Sequence, residues 1–195
     1  MSIALALHNN VFRTLMEQYN GYEVKTEGDS FMVAFKKAAT AIRFCQEVQE
    51  SLLTEVWPEE LLTQPACKEE IHDETGVLLF KGLRVRWAHK SAFLKYLEWD
   101  YTLEFLYVKW IQSQVSLQLT LIRAGRMDYF GKFVNKTARI SGAAHGGQVL
   151  ASEVTWSEIA KDHDLVATLS MNPLGSVSFK GIKEETPVIE VLEPL

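Results

Sequence analysis

A chain of 195 residues suits one domain with a sizeable core and is short for two. Its hydrophobic share of 47% and charged share of 23% are those of an ordinary globular protein. The net charge of -5 offers no basic face for a phosphate backbone, so nucleic acid is not an expected partner.

The two cysteines, Cys45 and Cys67, show neither metal-ligand nor disulfide spacing, which points to a reducing, cytoplasmic setting. The apolar patch Ile3–Leu7 lacks the basic flank and small-residue cleavage site of a secretory signal. No apolar run reaches the roughly eighteen residues that a membrane span needs.

Leu7, Val11, Leu15 and Tyr19 recur at four-residue spacing and predict a helix over 3–19, closed by Asn20-Gly21. The period then falls to two. Tyr22, Val24 and Thr26 alternate with Glu23, Lys25 and Glu27, and residues 30–35 follow after Gly28-Asp29, a predicted β-hairpin. A second helix is expected over 36–56, with Ala38, Ala41, Phe44, Cys45, Val48 and Leu52 inward and Trp57-Pro58 as its stop. Residues 59–76 read as an acidic surface excursion, and 77–80 and 83–87 as strands. Aromatics crowd residues 93–110, and 115–121 alternate. A helix is predicted from Gly131 to Ala144, a strand over 148–151, a helix over 153–161, and a final hairpin of 176–180 and 188–191. The order predicts an α/β (α+β) sandwich with a mainly antiparallel sheet, residues 1–195 forming one domain.

Four stretches carry more than fold. They are Gly21–Phe35 with its Glu27-Gly28-Asp29-Ser30 apex, Gly125-Arg126-Met127-Asp128-Tyr129-Phe130-Gly131 leading into Asn135 and Arg139, Gly146-Gly147-Gln148-Val149-Leu150, and Phe179-Lys180-Gly181-Ile182. Each alone has an ordinary explanation: Gly28-Asp29 is a good hairpin turn, Lys25 a solvated strand residue, Asp128 a loop acid, and Asn135 with Arg139 a surface helix pair. In this order and spacing they resemble the catalytic domain of class III nucleotidyl cyclases, most closely the fungal type of adenylate cyclase. The resemblance covers residues 1–87 and 125–193.

It implies a ferredoxin-like cyclase fold and conversion of ATP to 3′,5′-cyclic AMP and pyrophosphate, with Mg²⁺ or Mn²⁺, at a head-to-tail dimer interface. By the same resemblance Asp29 holds metal, Lys25 and Asp128 read the adenine edge, and Asn135 orients the ribose. Arg139 stabilises charge on the α-phosphate, and Lys180 or Lys183 meets the outer phosphates. Lys and Asp at the base-reading positions favour ATP over GTP. Implied partners are a second copy or another cyclase domain, with small-GTPase regulation and peripheral membrane association acquired through a larger signalling protein.

Two departures stand out. The family opens with a central strand bearing a second metal aspartate, whereas this chain starts at the helix after it, so that strand is expected to be missing. Residues 88–124 match nothing in the family and differ in composition from their flanks, as an insertion or a mis-joined exon would, and they are expected to pack poorly. The alternative reading is a catalytically inactive cyclase-fold module for nucleotide binding or dimerisation. An RNA-binding sandwich is disfavoured by the acidic balance and by the lack of an aromatic-basic strand motif.

Overall fold

The computed structural model describes residues 2–27, 29–96, 99–107, 120–122, 126–128 and 132–192. Helix α1 (Ser2–Gln18) leads into the hairpin β1 (Tyr22–Glu27) and β2 (Ser30–Phe35), then α2 (Ala38–Thr54) and a short α3 (Glu59–Leu62). A small hairpin follows, β3 (Glu70–Ile71) and β4 (Leu78–Phe80), and then the long strands β5 (Trp87–Tyr96) and β6 (Trp99–Tyr107). Beyond them come β7 (Thr120–Ile122), β8 (Arg126–Asp128), α4 (Lys132–Ala143), β9 (Val149–Ser152), α5 (Glu153–Ile159) and α6 (His163–Val166). β10 (Ser170–Val177) and β11 (Thr186–Leu192) close the chain.

Seven strands form one sheet in the order β1-β2-β6-β5-β9-β11-β10, antiparallel at every pairing except β5 with β9. Successive strand residues point to opposite faces, and the two faces are covered differently. Phe31, Val33 and Phe35 of β2 join Val149 and Ala151 of β9 in a core with α1 and α2. Leu150 and Val188 turn the other way and meet Ile140 of α4 and Ala144 just beyond its end. The sheet thus has an α1/α2 face and an α4 face.

The six inward positions predicted for α2 are all buried, together with Ile42. On α1 the buried line is Ala4, His8, Val11, Phe12, Leu15 and Met16, while Leu7 and Tyr19 flank it half-buried. Phe12 anchors this helix, stacking on Phe31 at 4.7 Å between centroids.

Four expectations need correcting. Residues 83–86 are not strand. Gly82, at φ +78° against the Trp57 ring, donates its N–H to the Cys67 carbonyl, and the Val85 carbonyl accepts from Gly147 N at 2.7 Å and Gln49 Nε2 at 3.2 Å. The segment is stapled to loop and helix rather than to a ladder, so the strand starts at Trp87. The last hairpin begins earlier than predicted, at Ser170, because Pro173 is tolerated on the edge strand β10 and the register shifts between Pro173 and Gly175. In β1 the simple alternation fails at Val24, where a bulge intervenes.

The fourth correction concerns the central strand and residues 88–124. β5 and β6 take residues 88–96 and 99–107 into the heart of the sheet, and β6 lies between β2 and β5, antiparallel to both. The position expected to be missing a strand is therefore filled. Residues such as Trp99, Tyr101, Phe105 and Tyr107 have high strand propensity, and the edges of β2 and β5 offer ladder groups that would otherwise go unpaired. Of the alternating stretch 115–121, residues 115–119 lie outside the described residues.

Leu106 pairs with Val33 on one side and His89 on the other. Leu106→Pro should remove ladder hydrogen bonds from the sheet interior and cost about 3 kcal/mol or more in urea unfolding followed by circular dichroism. A neutral outcome would place residues 99–107 outside the sheet.

Candidate functional site

The hairpin β1–β2 is built on a register of Tyr22↔Ala34, Glu23↔Val33, Lys25↔Met32, Thr26↔Phe31 and Glu27↔Ser30. Residues directly opposed across an antiparallel pair share a face. Glu23 and Thr26 therefore lie on the α1/α2 face with Val33 and Phe31. Lys25 lies on the α4 face with Met32, and is half-buried there. Asp29 occupies the turn, exposed, and its Oδ1 accepts from Ser30 Oγ at 3.4 Å. Gly28 lies outside the described residues.

His8, a residue with no role legible from its spacing, sits beneath this turn. It is 3% exposed, with its ring 4.4 Å from that of Phe12 and 5.9 Å from that of Phe31, and Nδ1 is 3.0 Å from Asn9 Oδ1. Burial lowers its pKa below the ordinary 6.5, opposed by the hydrogen bond to Asn9 and by the Asp29 carboxylate. The available signal was its position on α1 four residues before Phe12, which sets it on the inner side of the helix.

Asp128 ends β8, paired with Thr120 of β7, and β8 approaches β1 with Cα atoms within 8 Å. The strands of Lys25 and Asp128 are thus brought side by side at one edge of the sheet. Asn135 and Arg139 stand one helical turn apart on α4, the first half-buried and the second exposed. α4 packs on β5, β6 and β9, so it covers the face that carries Lys25 but lies over the middle of the sheet. Lys180 and Lys183 are both exposed in the loop between β10 and β11, at the opposite edge. Five or six strand spacings separate that loop from β1, roughly 25 Å. The sequence-predicted residues therefore form three groups rather than one enclosed pocket. A cavity of about 580 Å³ lies elsewhere, between the start of α2 and α5–α6, and residues of both charge signs line it, including Lys37, Lys161, Asp162 and Asp164. None of the sequence-predicted residues borders it.

Among the described residues no three His, Cys, Asp or Glu side chains gather as a metal cage. The lone exposed carboxylate of Asp29 fits one hard ion that keeps most of its water or phosphate ligands, as Mg²⁺ does. It does not by itself fit a pair of ions.

Residues 1–68 match the Adenylate and Guanylate cyclase catalytic domain family. The chain is 40% identical over 159 residues to an adenylate cyclase of Mycosarcoma maydis, a match covering 82% of this chain and 6% of that protein. It is 39% identical over 160 residues to an adenylate cyclase of Neurospora crassa, again 82% of this chain and 6% of the relative. The chain thus spans about 6% of the length of these relatives. It superposes on an adenylate cyclase from Trypanosoma brucei in its monomeric state with a TM-score of 0.73 at 24% identity, covering 98% of this chain and 78% of that one. An adenylyl cyclase from P. aeruginosa gives a TM-score of 0.61 at 18% identity, covering 100% and 83%. The fold is that of a cyclase catalytic domain, and the chain belongs to the class III nucleotidyl cyclase family of enzymes. Within that family it is similar to the fungal adenylate cyclases just described. No helix among the described residues is long and apolar enough to cross a membrane.

The state of His8 has a thermodynamic consequence. Its pKa is lowered in the fold, so below about 6.5 the unfolded chain binds the proton more readily than the folded one. Stability should be full above pH 6.5 and fall as the pH drops below it. Urea unfolding across pH 5 to 8, about the range in which an ordinary histidine changes charge, should show this slope in the wild type and a flatter one in His8→Leu.

Proposed function

We propose that residues 1–195 form one adenylate cyclase domain that converts ATP to 3′,5′-cyclic AMP and pyrophosphate in intracellular signalling. The observation that carries this reading is the β1–β8 edge. It puts the strands of Lys25 and Asp128 side by side, with Asp29 at the apex of the same hairpin. A cationic donor and a carboxylate acceptor suit the ring nitrogen and amino group of adenine. Asn135 orients the ribose so that its 3′-hydroxyl faces the α-phosphorus. A bond forms between that oxygen and phosphorus as the bond to the pyrophosphate oxygen breaks. Arg139 offsets the charge that develops on the α-phosphate oxygens, and Lys180 or Lys183 holds the departing phosphates.

Asp29 would hold one divalent ion, Mg²⁺ or Mn²⁺, a two-ion arrangement needing a further carboxylate from outside this hairpin apex, and such ions supply charge neutralisation for the nucleophile and phosphate oxygens. The three-way separation of the residues supports a pocket completed between two chains. A head-to-tail homodimer, or pairing with another cyclase domain, would bring the hairpin edge of one chain to α4 and the β10–β11 loop of the other. Cytoplasmic location, peripheral membrane association and small-GTPase regulation are proposals about the longer protein.

One observation favours the second reading, an inactive nucleotide-binding or dimerisation module. β6 pairs with β2 beside the apex, yet its acids, Asp100 and Glu104, lie away from that end. Glu104 is opposite Phe35, while Tyr107 is opposite Met32. Among the described residues the acids at the apex are then those of the hairpin itself, Glu27 and Asp29.

Cyclic AMP formation by the purified chain, alone and mixed with an intact cyclase domain, with Mg²⁺ or Mn²⁺, separates the readings. Asp29→Ala and Arg139→Ala should each lower the rate by roughly 100-fold or more with the unfolding temperature unchanged. ATP binding without product in either format would establish the inactive module. Rates indifferent to both substitutions would refute the assigned roles.

A further inference from the structure

The bulge in β1 decides where Lys25 goes. Glu23 is opposite Val33 and Lys25 is opposite Met32, so Val24 is one residue too many for its partner strand, and it is buried at 5% exposure. Were Val24 paired with Met32 in an unbulged ladder, Lys25 would pair with Phe31 and fall on the α1/α2 face. There it would stand where Thr26 now meets Glu23 beside Arg13, away from the face that α4 covers.

A brace spans this bulge on the opposite face. Glu23 Oε2 accepts from Arg13 Nε at 3.0 Å, and Glu23 Oε1 accepts from Arg13 Nη2 at 3.2 Å, a bidentate pair between α1 and β1. The same Oε1 accepts from Thr26 Oγ1 at 2.6 Å. Glu23 thus ties the residue before the bulge to the first residue after Lys25. Arg13 is itself seated over the Phe31 ring, 5.4 Å from its centroid, and Phe31 is the register partner of Thr26. Glu23, Thr26 and Phe31 lie on the α1/α2 face, gripped by Arg13 of the helix that covers it, and Lys25 is left to the other.

We propose that Glu23, held between Arg13 and Thr26, is a positioning residue that locks the β1 bulge, fixes Lys25 on the α4 face and so sets the preference for adenine over guanine nucleotides. The proposal rests on the reading of Lys25 as a base-reading group. Its requirements are narrower than those of general stability. The hydroxyl of Thr26 matters, whereas its bulk does not, and the carboxylate of Glu23 matters as a bidentate acceptor.

The test is competition of ATP and GTP, as Mn²⁺ complexes, against a fluorescent ATP analogue on the full chain, with unfolding temperature measured in parallel. The wild type should prefer ATP, and Lys25→Ala should lose that preference. Thr26→Val and Glu23→Gln should each shrink it roughly tenfold, the scale of one hydrogen bond to a charged group. Thr26→Ser should restore it, and adding Thr26→Val to Lys25→Ala should change nothing further. If Lys25→Ala loses the preference while Thr26→Val and Glu23→Gln keep it, the brace is overturned and the base-reading role stands. Equal loss of ATP and GTP binding with a lowered unfolding temperature would mean a merely structural contact and would also overturn it. A wild type without preference, or one that Lys25→Ala leaves intact, removes the reading and the proposal together.

Discussion

β2 is buried on both faces, and the rest of the domain takes its register from that fact. All six of its residues are buried, with Phe31, Val33 and Phe35 in the α1/α2 core and Met32 and Ala34 on the α4 face. A slip of one residue would exchange these sets, putting Met32 where Phe12 now stacks on Phe31 in one direction, or Ala34 where Phe35 meets Phe44 at 5.1 Å in the other. Such a strand admits one alignment. That alignment holds the turn at Asp29 above His8 and sets the level at which β1 must bulge for Lys25 to lie on the α4 face.

Local pattern was enough to read the elements that bury one face. The period of α2 named six of its buried residues, and Tyr22–Phe35 announced a hairpin through its alternation and Gly-Asp turn. It was not enough where tertiary partners decide. The bulge at Val24 is invisible in an alternating sequence, since it arises from matching β1 to a partner already fixed by α1 and α2. Residues 83–86 alternate like a strand, yet Gln49 and Gly147 claim the Val85 carbonyl. The segment 88–124 looked foreign by composition, but composition does not say which sheet position stands open. The candidate residues were legible only as an ordered set. Lys25, Asp128 and Arg139 individually resemble any surface strand, loop or helix residue, and their grouping into three places on the sheet was not in the spacing at all.

That grouping has a physical logic. A nucleotide needs contacts to base, sugar and phosphates at once, and rigid sheet geometry holds these side chains too far apart within one chain to converge. The hairpin edge lies at one end of the strand order and the Lys180–Lys183 loop at the other, with α4 between them on the same face as Lys25. On the proposed reading, a second chain would complete what one such face holds apart. The cavity by the start of α2 is lined by both charge signs, which leaves no net attraction for a polyphosphate.

On the proposed reading, the strand position beside β2 faces two separable demands, backbone pairing and a carboxylate at the apex. β6 meets the first along its length, satisfying ladder groups of both β2 and β5. It does not meet the second, because Tyr107 is level with Met32 while Glu104 is level with Phe35. Sliding β6 by three residues would bring Glu104 level with Met32, but an odd shift moves every β6 side chain to the other face. The register that completes the ladder thus holds Glu104 three residues short of the Met32 level beside the apex.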